Sequence, residues 1–86
     1  MKYLINNIYI TEESGYWYLK YLRNISVQNW LYLSRVINYC IEQYDENFSV
    51  NHEDYEIKFD TKESAERFIN DYMEPYITML VLVGEI

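Results

Sequence analysis

The only histidine of the chain, His52, stands beside two carboxylates, Glu53 and Asp54. Such a cluster could bind a metal ion or carry acid–base chemistry. Structural zinc needs four protein ligands, however, and catalytic zinc needs three. The only cysteine lies in a different predicted element, so the pattern indicates a solvated polar turn. We expect no metal and no cofactor.

Cys40 is the only thiol that could act as a nucleophile. It falls on the apolar side of a predicted helix, with no neighbouring histidine to lower its pKa. The two glycines of the chain cannot build a phosphate-binding loop. These features predict a buried, unreactive cysteine and a protein that is not an enzyme.

Acidic residues dominate the second half of the chain. The formal net charge is −7 over 86 residues. Between Arg35 and Lys58 there are no basic residues, but six acidic ones: Glu42, Asp45, Glu46, Glu53, Asp54 and Glu56. Nucleic acids and anionic membranes attract positively charged proteins, so the charge argues against both as direct partners.

The spacing of the acids suggests a different partner. Alternate residues of a strand lie about 6.7 Å apart, and four residues of a helix rise about 6 Å. Both values approximate two phosphate steps of one DNA strand, each about 3.4 Å. An acidic surface of this kind can occupy a basic groove that is built for nucleic acid. The candidate partner-binding residues are Glu53, Asp54, Tyr55, Glu56, Glu63, Glu66 and Glu74.

An ordinary solvated helix face is the alternative interpretation of these acids. Glu63, Glu66, Asn70 and Glu74 follow one another at helical spacing. Pairs of Arg67 with Glu63 and with Asp71, at i,i+4, would then stabilise the helix locally.

Aromatic residues make up 19% of the chain, more than a core of this size can hide. Tyr16, Trp17, Tyr18 and Tyr21 lie close to Lys20 and Arg23, and could stack single-stranded bases. The net charge opposes that use. Exposed Tyr and Trp are instead typical of protein interfaces.

A single domain is predicted, beginning with a β-hairpin. Residues Tyr3–Ile10 have strand composition, and Thr11–Gly15 is a polar turn. Tyr16–Arg23 alternates, with Trp17, Leu19 and Tyr21 on one face. A short helix from Gly15 to Arg23 is the alternative.

A long helix follows from an N-cap at Ser26 and runs for about 18 residues. Its predicted apolar stripe comprises Val27, Trp30, Ser34, Ile37, Ile41 and Tyr44, widened by Leu33, Val36 and Cys40. Since the helix is apolar or aromatic over most of its circumference, we expect a second chain to help cover it.

The remainder predicts a second hairpin and a second helix. Two short strands span Asn47–Phe59 around a polar turn, and Asp60 caps the helix, with Glu63 completing a capping box. The predicted buried stripe is Ala65, Phe68, Ile69, Tyr72 and Met73. Pro75 should end or kink this helix. Tyr76–Val83 is predicted to return as a strand, with a continued helix as the alternative. The fold class is therefore α+β, with two helices on a mostly antiparallel sheet of four to five strands.

The chain resembles small acidic phage-encoded inhibitors, including anti-CRISPR proteins, in its length, acidic balance and Asn/Ile/Tyr/Lys-rich composition. The segment from Tyr55 to Ile69 is similar to the strand-then-capped-helix unit of small phage proteins. The resemblance implies a non-enzymatic inhibitor that blocks a basic groove of a host defence enzyme in the host cytoplasm. The alternative is a homodimeric assembly protein whose acids provide solubility. We expect neither a signal peptide nor a membrane span.

Overall fold

The computed structural model describes residues 4–51 and 56–86. A four-stranded antiparallel sheet carries helices on one face, which confirms the α+β class. The strands are β1 (Ile8–Glu13), β2 (Tyr16–Tyr21), β3 (Phe48–Asn51) and β4 (Glu56–Phe59). Their spatial order is β1-β2-β4-β3. The helices are α1 (Val27–Gln43), α2 (Lys62–Arg67) and α3 (Glu74–Leu82).

The first hairpin is confirmed, with shifted boundaries. Residues Leu4–Asn7, predicted as strand, form a 3₁₀ turn instead, in which the Asn7 side-chain amide donates to the Leu4 carbonyl. The strand then continues to Glu13, so the turn is only Ser14–Gly15. Both turn residues have positive φ, as a two-residue type I′ hairpin turn requires. The helical alternative for residues 15–23 is wrong.

Helix α1 starts where the sequence predicts, because the Ser26 side chain accepts a hydrogen bond from the Asn29 N–H at 3.1 Å. The buried face lies on the widened side of the predicted stripe, and all four of its residues were among those predicted. It comprises Leu33, Val36, Ile37 and Cys40, whereas Val27 is 75% exposed. Several sides of α1 are apolar. The side that is buried is the one that contacts the sheet and the second helical segment, which begins with α2.

The second helical segment differs from the prediction at both ends. Thr61, not Asp60, is its N-cap, and the Thr61 hydroxyl accepts from the Ser64 N–H at 3.0 Å. The segment continues through a π-helical turn, Phe68–Met73, directly into α3. The strand predicted at Tyr76–Val83 is therefore wrong and the continued helix is right. The wider π turn accommodates Pro75, which has no N–H to donate.

One hydrophobic core lies between the helices and the sheet. Its largest fully buried side chains are Phe59, Phe68, Leu33, Met73, Val36 and Cys40. The opposite face of the sheet has no helix packed on it in the described part of the chain. No helix there is long and apolar enough to cross a bilayer.

Candidate partner-binding surface

Arg67 is the centre of an acidic cluster that joins the end of α1 to α2. One of its terminal nitrogens lies 2.9 Å from Asp45 Oδ1 and 2.7 Å from Glu46 Oε2. Its Nε lies 3.7 Å from Asp71 Oδ2. One cation thus draws three carboxylates from two parts of the chain together.

Two tyrosines support this cluster. Tyr44 is buried between Phe59 and Phe68, with edge-on ring contacts at 5.9 and 5.1 Å. The Tyr72 hydroxyl donates to Asp45 Oδ1 at 3.1 Å. The Arg67 guanidinium lies 5.9 and 5.7 Å from the Tyr44 and Tyr72 ring centres. Arg67 is therefore contacted by two aromatic rings as well as by three carboxylates.

The contacts with Arg67 determine the ionisation of its partners. Hydrogen bonds from Arg67, and then from Tyr72, lower the pKa of Asp45. Hydrogen bonds from Arg67, and then from Tyr44, lower the pKa of Glu46. Both carboxylates therefore stabilise the fold above their ordinary pKa near 4, and this contribution is lost as the pH falls through the lowered values.

Further carboxylates of the helical layer have no ion-pair partner in the described part of the chain. Glu42, Glu63, Glu66 and Glu74 are exposed and form no ion pair within residues 4–51 and 56–86. The predicted pair of Glu63 with Arg67 is therefore wrong, whereas the pair of Arg67 with Asp71 is confirmed. The acidic helix face, as we call this surface, comprises Glu42, Asp45, Glu46, Glu63, Glu66, Asp71 and Glu74.

The structure does not bring all predicted binding residues together. Glu63, Glu66 and Glu74 share the helical layer. Glu56 projects from the opposite side of the sheet, because its neighbour Ile57 faces the core. There its carboxylate lies 3.5 Å from Lys20 Nζ. The predicted residues Glu53, Asp54 and Tyr55, together with His52, lie outside the described residues.

The predicted aromatic surface is also divided between the two faces of the sheet. Trp17 and Tyr21 pack against the core, while Tyr16 and Tyr18 project from the helix-free face. Lys58 Nζ lies 4.1 Å from the Tyr16 ring centre. Lys20 on the same face is bound by Glu13 at 2.7 Å as well as by Glu56. Counted over the described residues, this face carries two bases, Lys20 and Lys58, and two acids, Glu13 and Glu56, and therefore offers little attraction for phosphates.

Cys40 is 1% exposed, as predicted for a packed residue. Burial raises the pKa of its thiol to about 12, so the reactive thiolate is scarce at neutral pH. Among the described residues, no three His, Cys, Asp or Glu side chains are grouped so that they could hold a metal ion.

The central role of Arg67 was not predicted from the sequence. One feature of the sequence could have indicated this role: Arg67 is the only Lys or Arg after Lys62, in a segment rich in acids. Its partners Asp45 and Glu46 are far away in the chain, so local spacing could not identify them. No family model, curated protein or solved structure matches this chain.

Proposed function

We propose that this protein is a non-enzymatic inhibitor that inserts its acidic helix face into a basic, nucleic-acid-binding groove of a host protein. The observation that carries the proposal is a set of four exposed carboxylates that pair with no cation among the residues that the structure describes: Glu42, Glu63, Glu66 and Glu74. The partner class is a host defence enzyme such as a CRISPR effector, encountered in the host cytoplasm. A phage or other mobile element is the proposed source.

Electrostatics supports this partner class. A groove that binds a nucleic-acid backbone is lined with Lys and Arg, as in the heteroduplex channel of RNA-guided nucleases. Glu63 and Glu66 lie about 4.5 Å apart along the helix axis, at about 1.5 Å per residue. That rise is comparable with the phosphate step of about 3.4 Å along one strand. The uncompensated charge would also steer association and raise its rate at low salt.

The internal ion pairs divide the acids of the acidic helix face into two groups, those held by Arg67 and those free to bind a partner. Asp45 and Glu46 are held by Arg67, so they are unavailable to a partner unless that contact breaks. The unpaired carboxylates can bind Lys or Arg of a partner without giving up an internal ion pair. Arg67 meanwhile fixes the end of α1 against α2, so the two groups of acids keep a constant relative position. A preorganised surface loses less conformational entropy on binding.

The test compares two triple variants of equal charge. Glu63→Gln, Glu66→Gln and Glu74→Gln remove three charges from the acidic helix face. The control variant carries Glu12→Gln, Glu13→Gln and Glu56→Gln, all in strands of the sheet. Each variant is assayed for inhibition of DNA cleavage by purified RNA-guided nucleases, and for co-purification of host proteins that added DNA or RNA displaces.

We expect the helix-face variant to lose inhibition and the captured protein, and the control to keep both. Excess single-stranded nucleic acid should release the captured protein, because both occupy the same groove. Equal activity of the two variants would contradict the proposal. So would a captured protein that DNA and RNA leave in place.

A further inference from the structure

A groove with a volume of about 550 Å³ runs along one side of α3 and includes one residue of the acidic helix face. Ligand sites usually measure about 300–1,000 Å³. The apolar lining of the groove includes Val81 and Leu82 of α3 and Ile5 of the 3₁₀ turn. Glu74 also lines it, eight residues before Leu82 and therefore about 12 Å away along the helix axis. The groove thus joins an apolar wall to a carboxylate.

The side chains at the Glu74 end of the groove accept hydrogen bonds. The Thr78 hydroxyl donates its only proton to the Glu74 carbonyl oxygen at 2.9 Å, so only its lone pairs remain for a ligand. The Glu74 side chain is exposed and forms no ion pair with any residue that the structure describes. An ionised carboxylate is also purely an acceptor. A ligand at this end must therefore bring the protons.

The π turn adds a backbone acceptor beside these side chains. In a helix, the Asn70 carbonyl accepts from the N–H of residue 74 or 75. Here the Glu74 N–H donates to the Ile69 carbonyl instead, and Pro75 has no N–H. The Asn70 carbonyl is left without either donor. It points along the helix axis towards Glu74 and Pro75, which both line the groove.

These features select an aliphatic cation as the ligand. The described residues that line the groove include no Lys, Arg or His that would pair with a carboxylate or a phosphate. An ammonium or guanidinium supplies the donors that Glu74, Thr78 and the Asn70 carbonyl lack. Lys and Arg lay their aliphatic stems along apolar surfaces while the charged head stays at a polar group. The apolar wall and the acceptors of the groove match the two ends of such a side chain.

We infer that the groove receives a Lys or Arg side chain of the basic partner, with its stem against Val81 and Leu82 and its charge at Glu74. The inference rests on the proposed function and adds a position at which one base of the partner is anchored. A charge pair that is shielded from water mainly slows dissociation, whereas solvated acids such as Glu63 and Glu66 mainly accelerate association. Glu74 therefore has a different role from these two acids.

NMR titration of the isotope-labelled protein with n-hexylammonium tests the chemistry of the groove without the partner. Hexanol has the same chain without the charge, hexanoate has the opposite charge, and methylammonium has the charge without the chain. We expect hexylammonium to shift the amide signals of the lining residues and to bind at least about tenfold more tightly than each of the other three. Glu74→Gln should remove the preference for hexylammonium over hexanol. Glu12→Gln, a matched loss of charge in β1, should keep it.

A second pair of variants tests whether the partner uses the groove. Thr78→Lys places an ammonium four residues after Glu74, the favourable order for an ion pair on a helix, so the protein occupies its own groove. Met79→Lys is the matched control, because it adds the same charge at the next residue, which is 47% exposed and is not among the lining residues. Circular dichroism verifies that both variants fold.

We expect Thr78→Lys to block hexylammonium and Met79→Lys to leave its binding unchanged. Thr78→Lys should also accelerate dissociation from the host protein that the wild type captures, by at least about tenfold in biolayer interferometry. Met79→Lys should dissociate at the wild-type rate.

Two results would overturn this inference while the proposed function stands. One is equal binding of hexylammonium and hexanol, which would mean that the groove takes a neutral apolar group. The other is equal dissociation of the Thr78→Lys and Met79→Lys variants from a captured protein that the helix-face variant no longer binds. If the helix-face variant keeps the captured protein, the proposed function fails, and this inference fails with it.

Discussion

The Tyr44 hydroxyl is the most informative single group for a stability measurement. It lies 2.6 Å from the Ser64 carbonyl oxygen, 2.7 Å from Ser64 Oγ and 3.0 Å from Glu46 Oε2. A hydroxyl has one proton, so it donates to one acceptor at a time, while the Ser64 hydroxyl can donate to it in return. Tyr44→Phe removes these contacts and keeps the ring.

The loss of stability expected for Tyr44→Phe follows from the burial of the hydroxyl and its partner. Tyr44 is 8% exposed and Ser64 is 6% exposed, so water cannot readily replace the lost partner. A net hydrogen bond contributes about 1 kcal/mol, and a buried polar group left unsatisfied costs about 1–3 kcal/mol. We therefore expect Tyr44→Phe to lower the free energy of unfolding by about 1–2 kcal/mol. At about 4–8 °C per kcal/mol for a domain of this size, Tm should fall by roughly 4–16 °C.

Urea denaturation measures the change, with Tyr72→Phe as the matched control. Tyr72 also loses one hydroxyl, but its hydrogen bond to Asp45 is exposed. The control should cost less than about 0.5 kcal/mol. The dependence of the unfolding free energy on urea should stay unchanged in both variants, since neither changes the surface exposed on unfolding. Equal effects of the two substitutions would refute the assignment of Tyr44 as a buried structural link.

Three further predictions concern the cap, the thiol and the charge. Thr61→Ala should lower the free energy of unfolding by about 1 kcal/mol in urea denaturation, and Asp60→Ala should be near neutral; the reverse ranking would make Asp60 the N-cap. Cys40 should resist thiol reagents until the protein unfolds, and Cys40→Ala should cost about 1 kcal/mol. Burial raises the pKa of Cys40 from 9.0 to about 12 in the folded protein, so the stability that this thiol contributes is full below pH 9 and is lost as the pH rises towards 12. Thermal unfolding measured across that range should therefore show a smaller loss of stability in Cys40→Ala than in the wild type. Rapid labelling of Cys40 in the folded protein would contradict its burial. The free protein should not shift single-stranded DNA or RNA in a gel at about 0.1 M salt, and tight, salt-sensitive binding would instead favour the tyrosines of the helix-free sheet face.

Elements with a strong local signal were predicted well. Ser26 caps α1 because its hydroxyl oxygen reaches an N–H three residues ahead, which sequence order alone specifies. The hairpins follow from alternation, with Leu19 and Ile57 buried on one face. Such features depend on residues that are close in sequence. They can therefore be predicted without knowing which distant segments pack against them.

The errors arose where tertiary contacts override local preference. The β-branched residues around Ile77 favour a strand, yet Ile77 and Leu80 reach the core only when the helix continues. The π turn that allows this has no recognised sequence signal. Likewise, the candidate site was predicted from the positions of acids along the chain. The placement of Glu56 across the sheet, and of Arg67 beside the two acids that follow α1, depends on contacts between distant segments.

The strand order also has a consequence for how the chain folds. β1 with β2, and β3 with β4, are neighbours in sequence, and isolated hairpins form in about 1–10 µs. The pairing of β2 with β4 joins them, and it must wait until α1 and its connections have closed into a loop. We expect the rate-limiting step to be this joining of the two hairpins. Substitutions along the seam where Trp17 faces Phe59 should then slow folding, whereas those in the outer strands should mainly accelerate unfolding.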